Sequence, residues 1–439
     1  MSPQTHGTLA ERLFSSPLDR RFLHFYRRVF SINEIEKEPI LQIALGALLL
    51  SVFLGLSRWF YSHTFSVSAY TDNVYTCWPY FQDCGRWYFL QALPEGYSQS
   101  IFFMGVYALM VLAAYFMYRK EWTLVHMALS VVWVCKFIIL FILTSQLAAN
   151  FDYYDTLLLF VVLFLPSKLF FARLAFVLFY FLSSTIKIHE GWILGTYFTT
   201  LSTGLPLFGN ALAPIVTNLV IFMQIVGVWF LMSSKKLFQR TALIYFILFH
   251  LYSGILVGFR YPTIALVMLL VLFALPPVQS VLVPRATKRA LAGWLFVALL
   301  FVIQFIPIIV IRGDQKMTLE GNYYGFFMFE ANHQCISRST VHFSNGTTRE
   351  SIRESSDSTW RCDPYELWFV NHNRCERNPE ITHIEWTFDH SINGGPFYRM
   401  VDVEDACALE YKAFSHNEWI RVPGESAAVV GYPVKNYFQ

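Results

Sequence analysis

The chain has 439 residues, 55% of them hydrophobic and 18% aromatic, with only 14% charged and a mean hydropathy of +0.43. A soluble domain carries roughly 25% charged residues, so this composition lacks the polar surface to dissolve as a globule, and a lipid bilayer is the first partner it implies. A net charge of +3 is too small to suggest nucleic acid.

Residues 1–38 hold a cluster of basic residues. Within them Leu18, Phe22, Phe25, Tyr26 and Val29 recur at helical spacing opposite Arg20, Arg27 and Arg28. That pattern predicts an amphipathic helix lying on the cytoplasmic surface of the membrane. The first apolar run begins at Ile40 and lacks a small-residue cleavage site, so it is expected to stay in the membrane as the first span.

Apolar runs predict about nine spans, at 40–60, 101–118, 124–144, 156–170, 174–188, 212–232, 242–257, 263–275 and 291–311. Two of the divisions are forced. A helix over 156–188 would be about 50 Å long against a hydrocarbon core of about 30 Å, which places a break at 166–173. Residues 242–275 pose the same problem, and Phe259-Arg260-Tyr261-Pro262 is the expected turn. The predicted fold class is therefore an all-α polytopic membrane bundle over 39–311, followed by a small mainly-β extracytoplasmic domain over 312–439.

Lysine and arginine set the expected orientation. With Arg12, Arg20, Arg21, Arg27, Arg28 and Lys37 in the cytoplasm, alternation also puts Arg119/Lys120, Lys168/Arg173, Lys235/Lys236/Arg240 and Arg285/Lys288/Arg289 inside. Residues 145–155 and 190–211 carry no lysine or arginine. The C-terminus is then periplasmic or lumenal, most simply across a bacterial inner membrane. Cys77, Cys84, Cys335, Cys362, Cys375 and Cys407 all fall on that outer side and are expected in disulfides, while Cys135 lies within a span. Cys77 and Cys84 are close enough to pair locally; the other four allow three connectivities.

In the tail, stretches such as STVHF and IEWTF with the Asn345-Gly346 turn read as strands and hairpins. Asn345-Gly346-Thr347 is also a glycosylation sequon in a eukaryotic secretory host. Trp360 to Phe369 is aromatic-rich and is expected in the domain core. His333, His342, His372, His383, His390 and His416 form no HExxH and no zinc spacing with cysteines, so they read as surface histidines and no metal is predicted. Nucleotide-binding glycine motifs, GxSxG and CxxCH are absent.

Ionisable and polar residues at membrane depth are costly and point to function by default. The candidates are Lys136, Lys187, Asn218, Gln224, His250 and Gln304. Lys136 lies mid-span and is expected to face the bundle. Lys187 either snorkels to the outer interface beside Trp192 or is put to use. His250 reads as a packing histidine, and Asn218 and Gln224 as hydrogen-bonding groups between helices.

The stretch YFLSSTIKIHEGWILGTYF, Tyr180 to Phe198, resembles the signature of the HTTM (vitamin K-dependent γ-carboxylase-like transmembrane) superfamily. There a helix ends in a lysine followed by a tryptophan and a glycine, matching Lys187, Trp192 and Gly195. The preceding YYDTLLLFVVLFLPS is similar to the family's span before a short cytoplasmic turn. The resemblance runs from about Pro17 to Val310.

It implies that Lys187 is a candidate base toward a reduced quinone, with Asn150, Lys136, His250, Gln224 and Trp192 lining a cavity. An amine held out of water has its charged form disfavoured, a condition that suits a general base. Burial would also admit a lipophilic quinone and exclude water. Where the carboxylases carry an Asn-His pair, this chain has Asn150-Phe151, and its tail is short beside their extracytoplasmic region. Both differences point away from glutamate carboxylation itself. The enzyme class implied is a quinol-linked, carboxylase-like lyase. The contrasting expectation is a non-catalytic scaffold or maturation factor that docks an exported polypeptide or membrane complex. A transporter fits less well, because no internal repeat is evident.

Overall fold

The computed structural model describes residues 9–13, 16–71, 77–84, 97–143, 150–201, 204–257, 260–275, 283–285, 287–311, 313–327, 331–354, 362–421 and 432–433. These fall into two compact units. The first comprises Met1–Val67, Cys84–Tyr180 and Val226–Leu299; the second comprises Ser68–Asp83, Phe181–Ile225 and Leu300–Gln439.

An amphipathic helix α1 (Pro17–Val29) precedes the apolar region. A helix lies on each predicted apolar run: α2 (Pro39–Thr71), α3 (Tyr97–Tyr118), α4 (Trp122–Ile138), α5 (Asn150–Phe164), α6 (Lys168–Thr185), α7 (Gly209–Ile225), α8 (Lys236–Val257), α9 (Arg260–Leu269) and α10 (Lys288–Val310). The break between α5 and α6 falls at 165–167, with Pro166 between them and Ser167 in the left-handed region at φ 52°. Of the expected turn at 259–262, Phe259 lies outside the described residues, while Arg260 already opens α9.

Five helices among the described residues are long and apolar enough to cross a membrane: Pro39–Arg58, Ser100–Tyr118, Trp122–Phe141, Lys168–Thr185 and Lys288–Val310. The length criterion thus supports five spans and not nine. For three of the other four apolar runs the cause is a short or interrupted helix; α8, with 22 residues, is neither. Helix α5 has 15 residues, about 22 Å at 1.5 Å per residue, short of a hydrocarbon core. A proline, Pro214, sits inside α7, which passes into a 3-10 turn at Gly227–Met232, and α9 gives way to a π-turn at Leu270–Ala274. An apolar run fixes where the chain is buried, not how far one helix continues.

In the first unit α6 is the most enclosed of these helices, with Phe171, Ala172, Ala175, Val177, Leu178 and Phe179 all buried. By contrast α3 and α10 expose Ile101, Met104, Val111, Leu295 and Leu299, the kind of apolar surface a bilayer would cover.

Helix α1 opens with a capping box between Ser16 and Asp19. Its apolar stripe divides. Leu18, Phe22, Phe25 and Val29 are exposed, whereas Leu23 is buried against Ala10 and Leu124, and the Tyr26 hydroxyl hydrogen-bonds His126 Nδ1 at 2.6 Å.

Lys168 and Arg173, expected in a solvated loop, are buried. Lys168 Nζ donates to the carbonyls of Leu163 and Leu165 (2.8 and 3.0 Å) at the C-terminal end of α5, where the macrodipole favours a cation. Arg173 Nε donates to Leu272 O at 2.8 Å. At the start of α6, Glu34 accepts from the backbone N–H groups of Ser167 and Lys168 (3.1 and 2.8 Å), a carboxylate at the positive end of a helix.

The second unit carries a five-stranded antiparallel sheet, β1 (His333–Phe343), β2 (Thr348–Glu354), β3 (Ile381–Ile392), β4 (Tyr398–Val403) and β5 (Tyr432–Pro433), in the order β2-β1-β3-β4-β5. The Asn345-Gly346 turn closes the β1–β2 hairpin, with Gly346 at φ 79°. A second such pair, Asn393-Gly394, turns β3 into β4; both residues have positive φ, the requirement of a tight hairpin turn.

The tail is less purely β than predicted. Pro364–Arg377 forms helix α11, capped by Asp363 accepting from Tyr365 N at 2.9 Å. Its Tyr365, Leu367, Trp368 and Phe369 join Trp386 and Phe388 of β3 in the buried set, so the described part of the aromatic run enters a core; Trp360 lies outside the described residues.

Two disulfides decide among the three open connectivities: Cys335–Cys362 and Cys375–Cys407. Cys77 and Cys84 are disulfide-bonded as well, and the Tyr365 hydroxyl donates to Cys77 O at 2.8 Å.

One histidine departs sharply from the surface reading. His390 is fully buried on β3, with Nδ1 2.7 Å from Met317 O and Nε2 3.1 Å from His333 Nδ1. Burial, reinforced by His333 alongside, lowers its imidazole to about 3 from the usual 6.5. Between those values the folded state binds fewer protons than the unfolded chain, so stability from this group is present above about pH 6.5 and is lost as pH falls toward 3. We expect the second unit to lose about 1–2 kcal/mol between pH 7 and pH 5. Thermal melts across that range should show the decline in the native protein and a flatter profile for His390→Gln. Identical profiles would remove His390 as the cause.

Candidate functional site

Lys187 follows the last turn of α6. Its backbone N–H still bonds Ser184 O at 3.0 Å, and the chain then reverses through a helical turn at Glu190–Ile193. His189 starts that turn by accepting from Gly191 N at 3.1 Å. Gly195 ends it in the left-handed region at φ 74°, where an added Cβ would lie 2.8 Å from the Cβ of Ala213. The glycine of the lysine–tryptophan–glycine signature thus has a steric reason. Gly191 is equally constrained, since a Cβ there would meet Asn393 Nδ2 at 2.3 Å, beside the β3–β4 turn.

The reversal folds Trp192 back over the lysine. Lys187 is 3% exposed, so its ammonium does not snorkel to a surface. Nζ lies 5.1 Å from the Trp192 ring centroid and donates to Gln224 Oε1 at 2.9 Å. The same oxygen accepts from Ser184 Oγ at 2.6 Å. Trp192 is in turn stacked on Tyr197, 5.4 Å between centroids. Helices α6 and α7 and the intervening turn therefore hold one amine between an amide oxygen and an indole face. Asn218 Nδ2 donates to Ile193 O and Pro214 O, both at 2.7 Å, tying the turn to α7.

A cavity of about 310 Å³ adjoins the site. It is lined by the lysine's chain neighbours Ile186 and Ile188, by Thr185 and His189, and by Ile308, Asp314, Lys316 and Phe327 among others. Its wall is mixed, with Ile186, Ile188, Ile308 and Phe327 set among Thr185, His189, Asp314, Gln315, Lys316 and Asn322, and its size is at the lower end of small-molecule pockets. Asp314 and Lys316 are ion-paired at 2.7 Å. Gln304, expected at membrane depth, is buried on α10 and accepts from Phe326 N at 2.7 Å.

Three of the predicted cavity residues, Lys187, Gln224 and Trp192, thus come together. Lys136 and His250 belong to the first unit and have their own partners. Lys136 is completely buried and ion-paired to Asp155, with Asp152 Oδ1 at 3.8 Å; Ser51 Oγ donates to Asp155 at 2.7 Å. Lys136 is therefore buried in a pair, where the sequence leaves paired and neutral states open. His250 is buried and its Nε2 is hydrogen-bonded to the Tyr180 hydroxyl. The side chain of Asn150 lies outside the described residues.

Sequence reasoning passed over Ser184, which shares the lysine's acceptor, and the pairing of Lys136 with Asp155. The latter had a signal. Asp152 and Asp155 are three apart in an otherwise apolar helix, so both face the same neighbour, and a buried lysine is the partner such a pair needs. Comparison with protein-family models, curated proteins and solved structures returned no match.

Proposed function

We propose that this chain is an integral membrane protein of the HTTM kind, with its N-terminus cytoplasmic and its disulfide-bonded tail on the periplasmic or lumenal side. In this reading the site around Lys187 receives a lipophilic ligand of the quinone class. The helices that do not meet the span criterion by themselves would complete a bundle of about nine crossings, as broken helices at depth do where they line a cavity.

One observation carries the proposal: the Lys187 amine is buried, fixed by Gln224 Oε1 at 2.9 Å and faced by Trp192, while its chain neighbours wall a cavity of about 310 Å³. An amine donor beside a chamber that offers both apolar and hydrogen-bonding walls is suited to a ring that carries carbonyl or hydroxyl oxygens. The amide and indole would fix the amine.

The test uses the full chain purified in mild detergent. Lipid extracts analysed by mass spectrometry should contain a stoichiometric quinone, or added menaquinone should quench tryptophan fluorescence saturably. Lys187→Ala should weaken that binding about 10–100-fold, the worth of one charge-assisted hydrogen bond. Absence of any quinone binding would overturn the proposal. A stoichiometric polypeptide in its place would support the docking role instead.

A further inference from the structure

On the outward face of the sheet, His342 of β1 and His383 of β3 are cross-strand partners in register. Glu385 follows two residues after His383 and so shares that face, while Ile384 and Trp386 between and beyond them point into the core, both fully buried. The two imidazoles stack, 4.0 Å between centroids and 11° between planes. His342 Nε2 lies 3.1 Å from Glu385 Oε1, a separation already that of adjacent ligands on one small ion. That nitrogen is shielded from solvent, yet it makes no hydrogen bond among the described residues, because the carboxylate approaches it off the hydrogen-bonding direction. One ligand atom from each of the three residues falls within 4.8 Å of the others.

We infer that His342, His383 and Glu385 form a binding site for a divalent transition-metal ion of the zinc class on the exposed face of the sheet. Two imidazole nitrogens and a carboxylate oxygen are the donor set of borderline ions; calcium and magnesium prefer all-oxygen shells, and no thiolate is present to select a softer ion. Metal–ligand bonds of about 2.0–2.2 Å place tetrahedral ligands about 3.4 Å apart, so capture closes the cluster by about 1 Å. The stacked rings must splay so that their lone pairs converge. Both histidines are only partly buried on an open sheet face, which leaves room for that rotation. Three protein ligands leave a fourth position for water or an incoming ligand.

The strands themselves supply the rigidity. A cross-strand pair fixes two ligands by backbone register, and the third sits one pleat along the same strand. The reading is independent of what occupies the Lys187 site.

Cobalt is the probe, added to full-length protein carrying no polyhistidine tag. One equivalent of Co²⁺ should give the intense visible bands of a tetrahedral centre, displaced by Zn²⁺. His383→Ala and His342→Ala should abolish them, and Glu385→Gln should weaken cobalt binding by about 100-fold or more. Because these side chains lie on an open face, thermal melts of the variants without metal should match the native protein; His383→Asn provides a milder second variant. The absence of tetrahedral bands in the native protein, or bands that persist in His342→Ala/His383→Ala, would overturn the assignment.

Discussion

Lys136→Met should destabilise the first unit by about 3–5 kcal/mol, the loss found when one partner of a buried ion pair is removed. Lys136, Asp152 and Asp155 are all completely buried, and the ammonium faces both carboxylates. Without it, two carboxylates three residues apart on α5 face each other in a medium that screens them weakly. Asp155→Asn should cost less, about half as much, because Lys136 keeps Asp152 at 3.8 Å and the asparagine oxygen can still accept from Ser51. The triple replacement Lys136→Met/Asp152→Asn/Asp155→Asn should recover most of the loss, since it leaves no buried charge. Thermal unfolding in detergent, followed by tryptophan fluorescence, measures all three. If Lys136→Met melts with the native protein, the cluster is not a stabilising ion pair. Gly55 on α2 belongs to the same packing problem: a Cβ there would sit 3.1 Å from Asp152 Oδ1, so the helix surface must stay bare for the carboxylate to fit.

Much of this architecture is legible in the residues, and the failures have physical causes. Apolar content located the helices because burial in lipid or core demands it whatever the topology. Proline placed the break between α5 and α6 for an equally local reason. Helix length supports fewer spans than composition does, in part because a π-turn, a 3-10 segment and Pro214 interrupt α9 and α7 inside runs whose composition never changes.

Lys168 and Arg173 read as loop charges in the sequence because a basic residue looks the same whether it meets water or a helix's terminal carbonyls. Only tertiary structure distinguishes the two. Helix α11 did announce itself: Asp363-Pro364 followed by Glu366 is an N-cap, a first-turn proline and a first-turn acid. The aromatic density of that segment obscured the signal. At the candidate site, Lys187, Trp192 and Gly195 were readable as a local signature because one turn of chain joins them. That Gln224 meets Lys187 while Lys136 and His250 meet Asp155 and Tyr180 depends on which helices pack together, and linear spacing does not encode that.

The disulfides should produce the other large effect. Each closes a long loop, with a sequence separation of 27 for Cys335–Cys362 and 32 for Cys375–Cys407. On the chain-entropy account, loops of that length restrict the unfolded ensemble by about 3–4 kcal/mol per bridge. The first bridge ties β1 to the residue that precedes the Asp363 cap. The second ties the end of α11 to the segment after β4. Together they fix both ends of the helix against the sheet, which the turn chemistry alone would leave to side-chain packing. Cys335→Ser/Cys362→Ser and Cys375→Ser/Cys407→Ser should therefore each lower the stability of the second unit by about 2–5 kcal/mol, whereas Cys135→Ser, replacing the free thiol in α4, should be near neutral. Proteolysis followed by mass spectrometry under non-reducing conditions should recover these two cross-linked pairs and neither alternative pairing. Recovery of all four cysteines as free thiols from native membranes would refute both the connectivity and the oxidising side proposed for the tail.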